Sequence, residues 1–192
     1  MRAKIVVFSA VGMLVFGLAI AVTTILPLYR HLRKGVETSL EYSARLKEYS
    51  MAQYADLIRG VASQITSRTK AREKLDAFNR GEVDADEIRS FSLPILEDAV
   101  RRSDGLVTGI TRLGRDGRPA VATGVEIPES AWPPAGGRNS VIAGPVTLGG
   151  EEQMLVRALI EDRKGHVVGT DILAFRTKIL SQLTRDDYGR GG

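Results

Sequence analysis

Hydrophobic positions fall into three regimes along the chain, and each predicts a different kind of structure. From Ile5 to Leu28 no residue is charged, and 14 of these 24 residues are Leu, Ile, Val or Phe. As a helix this run would measure about 36 Å against a hydrocarbon thickness of about 30 Å, so it predicts one transmembrane span. Ala19-Ile20-Ala21 has the small-x-small form of a signal-peptide cleavage site, but apolar sequence continues past it to Leu28, which favours an uncleaved anchor.

In the second regime Leu32, Val36, Leu40, Ser43, Leu46, Ser50, Tyr54, Leu57, Val61 and Ile65 recur at a mean spacing of about 3.67 residues, with Glu41, Arg45, Lys47 and Glu48 between them. This predicts an amphipathic stalk helix running to about Phe78, where Asn79-Arg80-Gly81 supplies the stop. The period suits straight packing better than a left-handed zipper. Tyr54, Leu57 and Val61 are expected to dock on a sheet, leaving Val36 and Leu40 for a second copy of the chain in a parallel homodimer. A further helix is expected from Asp84, with Glu87 completing a capping-box pattern, through Ile88, Phe91, Leu96 and Val100, and with Pro94 kinking or interrupting it.

After Ser103-Asp104-Gly105 the pattern changes to short β-type runs between glycine-rich turns. Five strands are expected: Leu106 to Leu113, Pro119 to Ile127, Val141 to Val146, Gln153 to Asp162 and Val167 to Arg176. Connectors of hairpin length, apart from a long loop holding Trp132-Pro133-Pro134, predict a mostly antiparallel sheet. A short helix, Thr177 to Thr184, is expected to close the unit. The fold class is α+β, laid out as a cytoplasmic tip and membrane helix (1–29), a stalk (30–81), a sensor-sized module (82–186) and a truncated or flexible tail (187–192).

Charge changes little in this picture. The formal net charge is +4, yet Arg2, Lys4, Arg30, Arg33 and Lys34 all precede the first acidic residue, so the rest of the chain is near neutral. The basic residues flank the apolar run, as interfacial residues do, and no nucleic-acid partner is expected. They are too evenly split to orient the span by charge, and the N-terminus is placed inside because long domains translocate largely regardless of charge. With no cysteine and only His31 and His166, disulfides and Cys/His metal clusters are excluded and no cofactor is expected. Ser67 and Ser140 have no histidine in a local motif, and Gly149-Gly150 lacks the Gly-Lys-Ser/Thr ending of a phosphate loop, so no catalytic residue is assigned.

Two charges interrupt apolar strands: Arg157 in Met154–Ile160 and Asp171 in Val168–Leu173. If Arg163-Lys164-Gly165 is a three-residue hairpin loop, Asp162 faces His166 and the count places Arg157 opposite Asp171. Two readings stay open. The pair is a partly exposed ion pair, or it lines a ligand pocket in which Arg157 grips a carboxylate and Asp171 accepts from an amine. Arg112 is a weaker candidate, expected to be solvated on an outer strand face. Trp132 either caps a pocket or covers the edge of the core.

Several local stretches carry a resemblance: Ile65-Thr66-Ser67-Arg68 before Leu75 and Phe78, Gly109-Ile110-Thr111-Arg112-Leu113 with Asp116-Gly117, Gly144-Pro145-Val146, and Gly165-His166-Val167-Val168-Gly169-Thr170-Asp171. Together with the order of elements, they resemble Cache-type sensor modules, extracytoplasmic relatives of PAS domains found in the N-terminal regions of bacterial sensor histidine kinases and diguanylate cyclases. The resemblance implies a single-pass inner-membrane protein whose periplasmic domain binds a small ligand, such as an amino or carboxylic acid, and signals to an output domain outside this sequence. The rival expectation is a membrane-tethered interaction or assembly domain with no small ligand. Neither reading makes the chain an enzyme.

Overall fold

A computed structural model describes residues 2–136 and 140–178. The chain divides into two compact units, Met1–Tyr49 and Ser50–Gly192.

The first unit is helical: α1 (Arg2–Ile20), a π-helical turn (Ala21–Ile25) and the beginning of α2 (Leu26–Thr66). Thr23 Oγ1 donates to Ala19 O at 2.7 Å, so this hydroxyl is satisfied within the apolar run. Among the described residues, one helix is long and apolar enough to cross a membrane, and none of its apolar window is buried. Leu32, Val36 and Leu40 further along are also exposed, at 61, 59 and 66 %.

The second unit contains the rest of α2, α3 (Thr69–Asn79), α4 (Ala85–Arg102) and five strands: β1 (Val107–Leu113), β2 (Pro119–Gly124), β3 (Val141–Leu148), β4 (Glu151–Glu161) and β5 (Val167–Arg176). They form one sheet in the order β2-β1-β5-β4-β3, and every pairing is antiparallel. Of the closing helix expected over Thr177 to Thr184, residues from 179 on lie outside the described residues, as does the tail.

One face of the sheet is covered by helices. Tyr54, Ile58, Ala62 and Ile65 of α2 form the buried stripe, while Leu57 is 43 % exposed. The docking face is therefore rotated from the expected Tyr54-Leu57-Val61 line toward Ile58 and Ala62. The small side chain of Ala62 keeps the helix close to Val156, Ala158 and Leu173 in the same cluster. Each fully buried isoleucine in such a stripe contributes about 1.5 to 3 kcal/mol.

The stalk helix stops at Thr66 rather than near Phe78. Thr66 Oγ1 bonds back to Ser63 O and Ser67 Oγ to Gln64 O, giving the backbone local alternatives to the helical ladder. The chain then re-enters helix as α3, whose Leu75 packs with Ile160 and Val168. A Cβ at Gly169 would lie 2.5 Å from both Leu113 O and Leu75 Cδ2, so glycine permits this close approach. The next helix starts as expected, with Asp84 accepting from Glu87 N at 2.7 Å. Pro94 does not interrupt it. Leu96 and Ala99 are buried beyond the proline, and tertiary packing carries the helix past one missing hydrogen bond.

The β4–β5 hairpin corrects the expected pairing of Arg157 with Asp171. Its turn is as counted: Asp162 N donates to His166 O at 2.8 Å, and Gly165 has φ +80°. Glu161 pairs with Val167, however, and Ile160 with Gly169, so Val168 is a bulged extra residue. The slip of one residue places Arg157 opposite Ile172 and Ala158 opposite Asp171. Because side chains alternate between faces, Arg157 and Asp171 now project from opposite sides of the sheet.

Asp171 pairs instead with Arg112, its cross-strand partner on β1. Arg112 Nε and Nη2 donate to Oδ1 and Oδ2 of Asp171 at 2.8 and 2.7 Å, in a bidentate bridge exposed by only 1 % and 0 %. Burial works against the Arg112 charge, but the Asp171 carboxylate more than offsets it, holding the guanidinium pKa above its ordinary value. Arg112 is thus a core residue, contrary to the solvated position expected from sequence. Helix α2 is tied to the end of β5 by Tyr54, whose hydroxyl donates to Arg176 O at 3.0 Å.

Two predictions follow from these contacts. In the full chain held in detergent, Arg112→Ala is expected to cost about 3 to 5 kcal/mol in denaturant unfolding, because it strands a buried carboxylate. The double change Arg112→Met with Asp171→Leu is expected to recover most of that loss; a single-variant loss below about 1 kcal/mol would contradict a buried bridge. Burial also raises the Tyr54 pKa to about 12 from 10.0. The folded state therefore keeps its phenol proton where the unfolded chain gives it up, and stability from this group is full below pH ~10 and lost as pH rises toward ~12. Comparing alkaline melts of the protein with those of Tyr54→Phe should show that part of the loss vanishing in the variant.

Candidate functional site

The face of the sheet away from the helices is covered by the loop between β2 and β3. Leu113, Leu155, Ile172 and Ala174 form its floor, and Ile127 and Leu148 join them. The loop is tied to the sheet at two points and braced once within itself. Val125 N donates to Thr108 O at 2.9 Å where the chain passes over Gly109; a Cβ there would lie 2.4 Å from Val125 O. Trp132 Nε1 donates to Ile127 O at 3.1 Å, just after a short 3₁₀ turn, Glu129–Ala131. Arg157 Nη1 donates to Pro133 O at 3.0 Å.

A cavity of about 370 Å³ opens between β1, β2 and this loop. Thr111, Ala122 and Trp132 line it, with Glu126 and Glu129 among the loop residues. Its size lies at the lower end for small-molecule sites. Thr111, half a turn of strand from Arg112, places a mostly buried hydroxyl on this face. Trp132 contributes a flat apolar wall whose one polar atom is already satisfied. The lining carries two carboxylates and no cation, so its field favours a ligand bearing an ammonium group.

Of the four residues singled out from sequence, Trp132 lines this cavity. Arg157 lies on the same face, but its guanidinium is turned to the loop carbonyl of Pro133 rather than to a carboxylate. Arg112 and Asp171 lie on the helix-covered face and engage each other. Thr111, Glu126 and Glu129 were not singled out. Strand alternation around Arg112 could have flagged Thr111, whereas the two glutamates sit in a loop with no periodicity to place them. Among the described residues no group of three or more His, Cys, Asp or Glu side chains is arranged to hold a metal ion.

No protein-family model and no curated protein matches the sequence. Solved structures do match. The ligand-binding domain of the Campylobacter jejuni chemoreceptor Tlp3 in complex with L-valine is 9 % identical, with a TM-score of 0.51 over 78 % of this chain and 64 % of that one. The same domain with L-norvaline gives 9 % identity and a TM-score of 0.54, covering 77 % of this chain and 62 % of that one. The extracellular domain of the putative histidine kinase rpHK1S-Z16 is 17 % identical over 71 % of this chain and 63 % of that one, with a TM-score of 0.37. The chain thus spans less than two thirds of the length of these domains. At such identities the likeness to the chemoreceptor domain is one of fold alone.

Proposed function

We infer that this chain is a membrane-anchored sensor that binds a small ligand beside Trp132 and passes the signal to an output domain outside the sequence. The observation that carries this reading is the cavity between the sheet and a loop pinned to it at Thr108 and Arg157. Such a loop can tighten over a ligand without disturbing the helix-covered core. The shared fold supports a sensory role, and the two chemoreceptor structures were solved with amino acids. An amino acid or other small amine also suits Glu126 and Glu129. The exposed apolar run before Leu28 supports anchoring in the cell membrane with the sensor outside. The domain binds and signals rather than catalyses.

The chain contains one tryptophan, so the site has its own reporter. In the full chain held in detergent, an amino acid within a panel of amino and organic acids should shift Trp132 emission saturably and raise the melting temperature. Thr111→Val and Glu129→Gln should each weaken that ligand about fivefold or more, as expected when one hydrogen bond or charge is removed. Arg157→Ala should weaken it too by freeing the loop at Pro133. If no panel member perturbs Trp132, or if binding is unchanged in all three variants, the cavity is not the ligand site.

The exposed Leu32, Val36 and Leu40 support a parallel homodimer through the stalk, the feature that an assembly role would also use. Val36→Cys in membranes should form a disulfide-linked dimer under mild oxidation, with Glu37→Cys, one residue round the helix, cross-linking less. Equal cross-linking at both positions would mean random collision.

A further inference from the structure

A larger cavity, about 620 Å³, lies elsewhere in the second unit, where β4 outruns its neighbour. β3 begins at Val141 opposite Arg157, so Ala158 to Glu161 have no β3 partner. The end of α2 and the start of α3 close the space, and Arg59, Ser63, Thr66, Ser67, Arg72 and Ser140 line it along with β4.

Arg72 is half-buried, and among the described residues it has no carboxylate partner. Its Nη1 donates to Glu161 O at 3.0 Å and its Nη2 reaches Thr69 Oγ1 at 3.4 Å. Burying part of a guanidinium without a counter-ion is unfavourable, and an anion in the cavity would relieve that cost. Arg59 adds a second cation, tethered at 3.1 Å to the exposed Asp56. The hydroxyls of Ser63 and Ser140 have no protein partner among the described residues, so both are free to donate. Among the described residues Glu161 is the only carboxylate in the lining, against the two arginines. It is also an acceptor suited to a ligand's hydroxyl groups. The walls are more polar than those beside Trp132, and two arginines replace two glutamates, so the two cavities call for ligands of opposite charge.

We propose that this cavity is a second binding site, separate from the one beside Trp132, for a small hydroxyl-bearing anion gripped by Arg72 and Arg59. A phosphate ester and a hydroxy acid share that chemistry, and the arms of the test separate them. The full chain in detergent is titrated at matched ionic strength with glycerol 3-phosphate, citrate, inorganic phosphate and, as the uncharged control, glycerol. Calorimetry and melting temperature are followed together with Trp132 emission. Saturable binding is expected for glycerol 3-phosphate or citrate, and whichever binds names the source. Trp132 emission should stay unchanged. Affinity should fall about tenfold or more in Arg72→Ala and in Arg59→Glu, as for the loss of charge-assisted hydrogen bonds. Arg59 is exposed and paired only locally, so its variant keeps the test valid if Arg72→Ala disturbs folding. The proposal is overturned if none of the anions binds saturably, if glycerol binds as well as they do, or if Arg59→Glu leaves affinity unchanged. Failure of the Trp132 cavity to bind an amine would not bear on these outcomes.

Discussion

The second unit is organised around a central strand that water does not reach. From Val168 to Phe175 every residue of β5 is buried, with β1 and β4 on its edges, helices on one face and a loop on the other. A strand so enclosed reads as a continuous apolar run, and β5 does so except at Thr170 and Asp171. Burying that carboxylate would be prohibitive if it were alone. The bidentate grip of Arg112 from the adjacent strand makes it tolerable, and in doing so fixes the register of β1 against β5. The bridge adds little net stability over an apolar pair of the same size, and its effect is on which arrangement the strands adopt.

The two faces of the sheet consequently differ in what they can do. On the helix face α2, α3 and α4 close over an apolar core, and its polar atoms are either paired or, as with Arg112 Nη1 and Ser92 Oγ, enclosed without a partner. Opening that face would expose a charge pair held by geometry. On the loop face the covering segment is attached at a few points, and space remains beneath it. A loop can rearrange at the cost of a few hydrogen bonds, which the helix face cannot do without exposing its bridge.

Helix α2 illustrates how one periodic pattern serves two environments. Its apolar stripe continues on both sides of Ser50, yet Tyr54, Ile58, Ala62 and Ile65 are buried against the sheet while Leu32, Val36 and Leu40 are exposed. A sheet of five strands covers only part of a helix 41 residues long. Sequence periodicity reports that a face is apolar; it does not report what covers it.

Local chemistry in the sequence was enough for the elements themselves. The uncharged run, the 3.6-type stripe, the Asp84 cap and the glycine-bounded strands located α1, α2, α4 and the five strands to within a few residues, because each depends on neighbours within a turn or a hairpin, whereas the start of α3 was missed. Trp132 was legible as a loop indole that either caps a pocket or covers the edge of the core, and it packs against the cluster of Leu113, Leu155 and Ile172 while lining the cavity. Three things were decided only by tertiary structure. The break after Thr66 lets Leu75 reach Ile160 and Val168. The rotation of α2 buries Ile58 and Ala62 and leaves Leu57 exposed. The bulge at Val168 exchanges Arg157 for Arg112 as the partner of Asp171. Counting from a turn assumes an unbroken ladder, and one extra residue moves every later side chain to the opposite face. The bulged Val168 packs with Leu75 of α3, a contact that no pattern within the hairpin encodes.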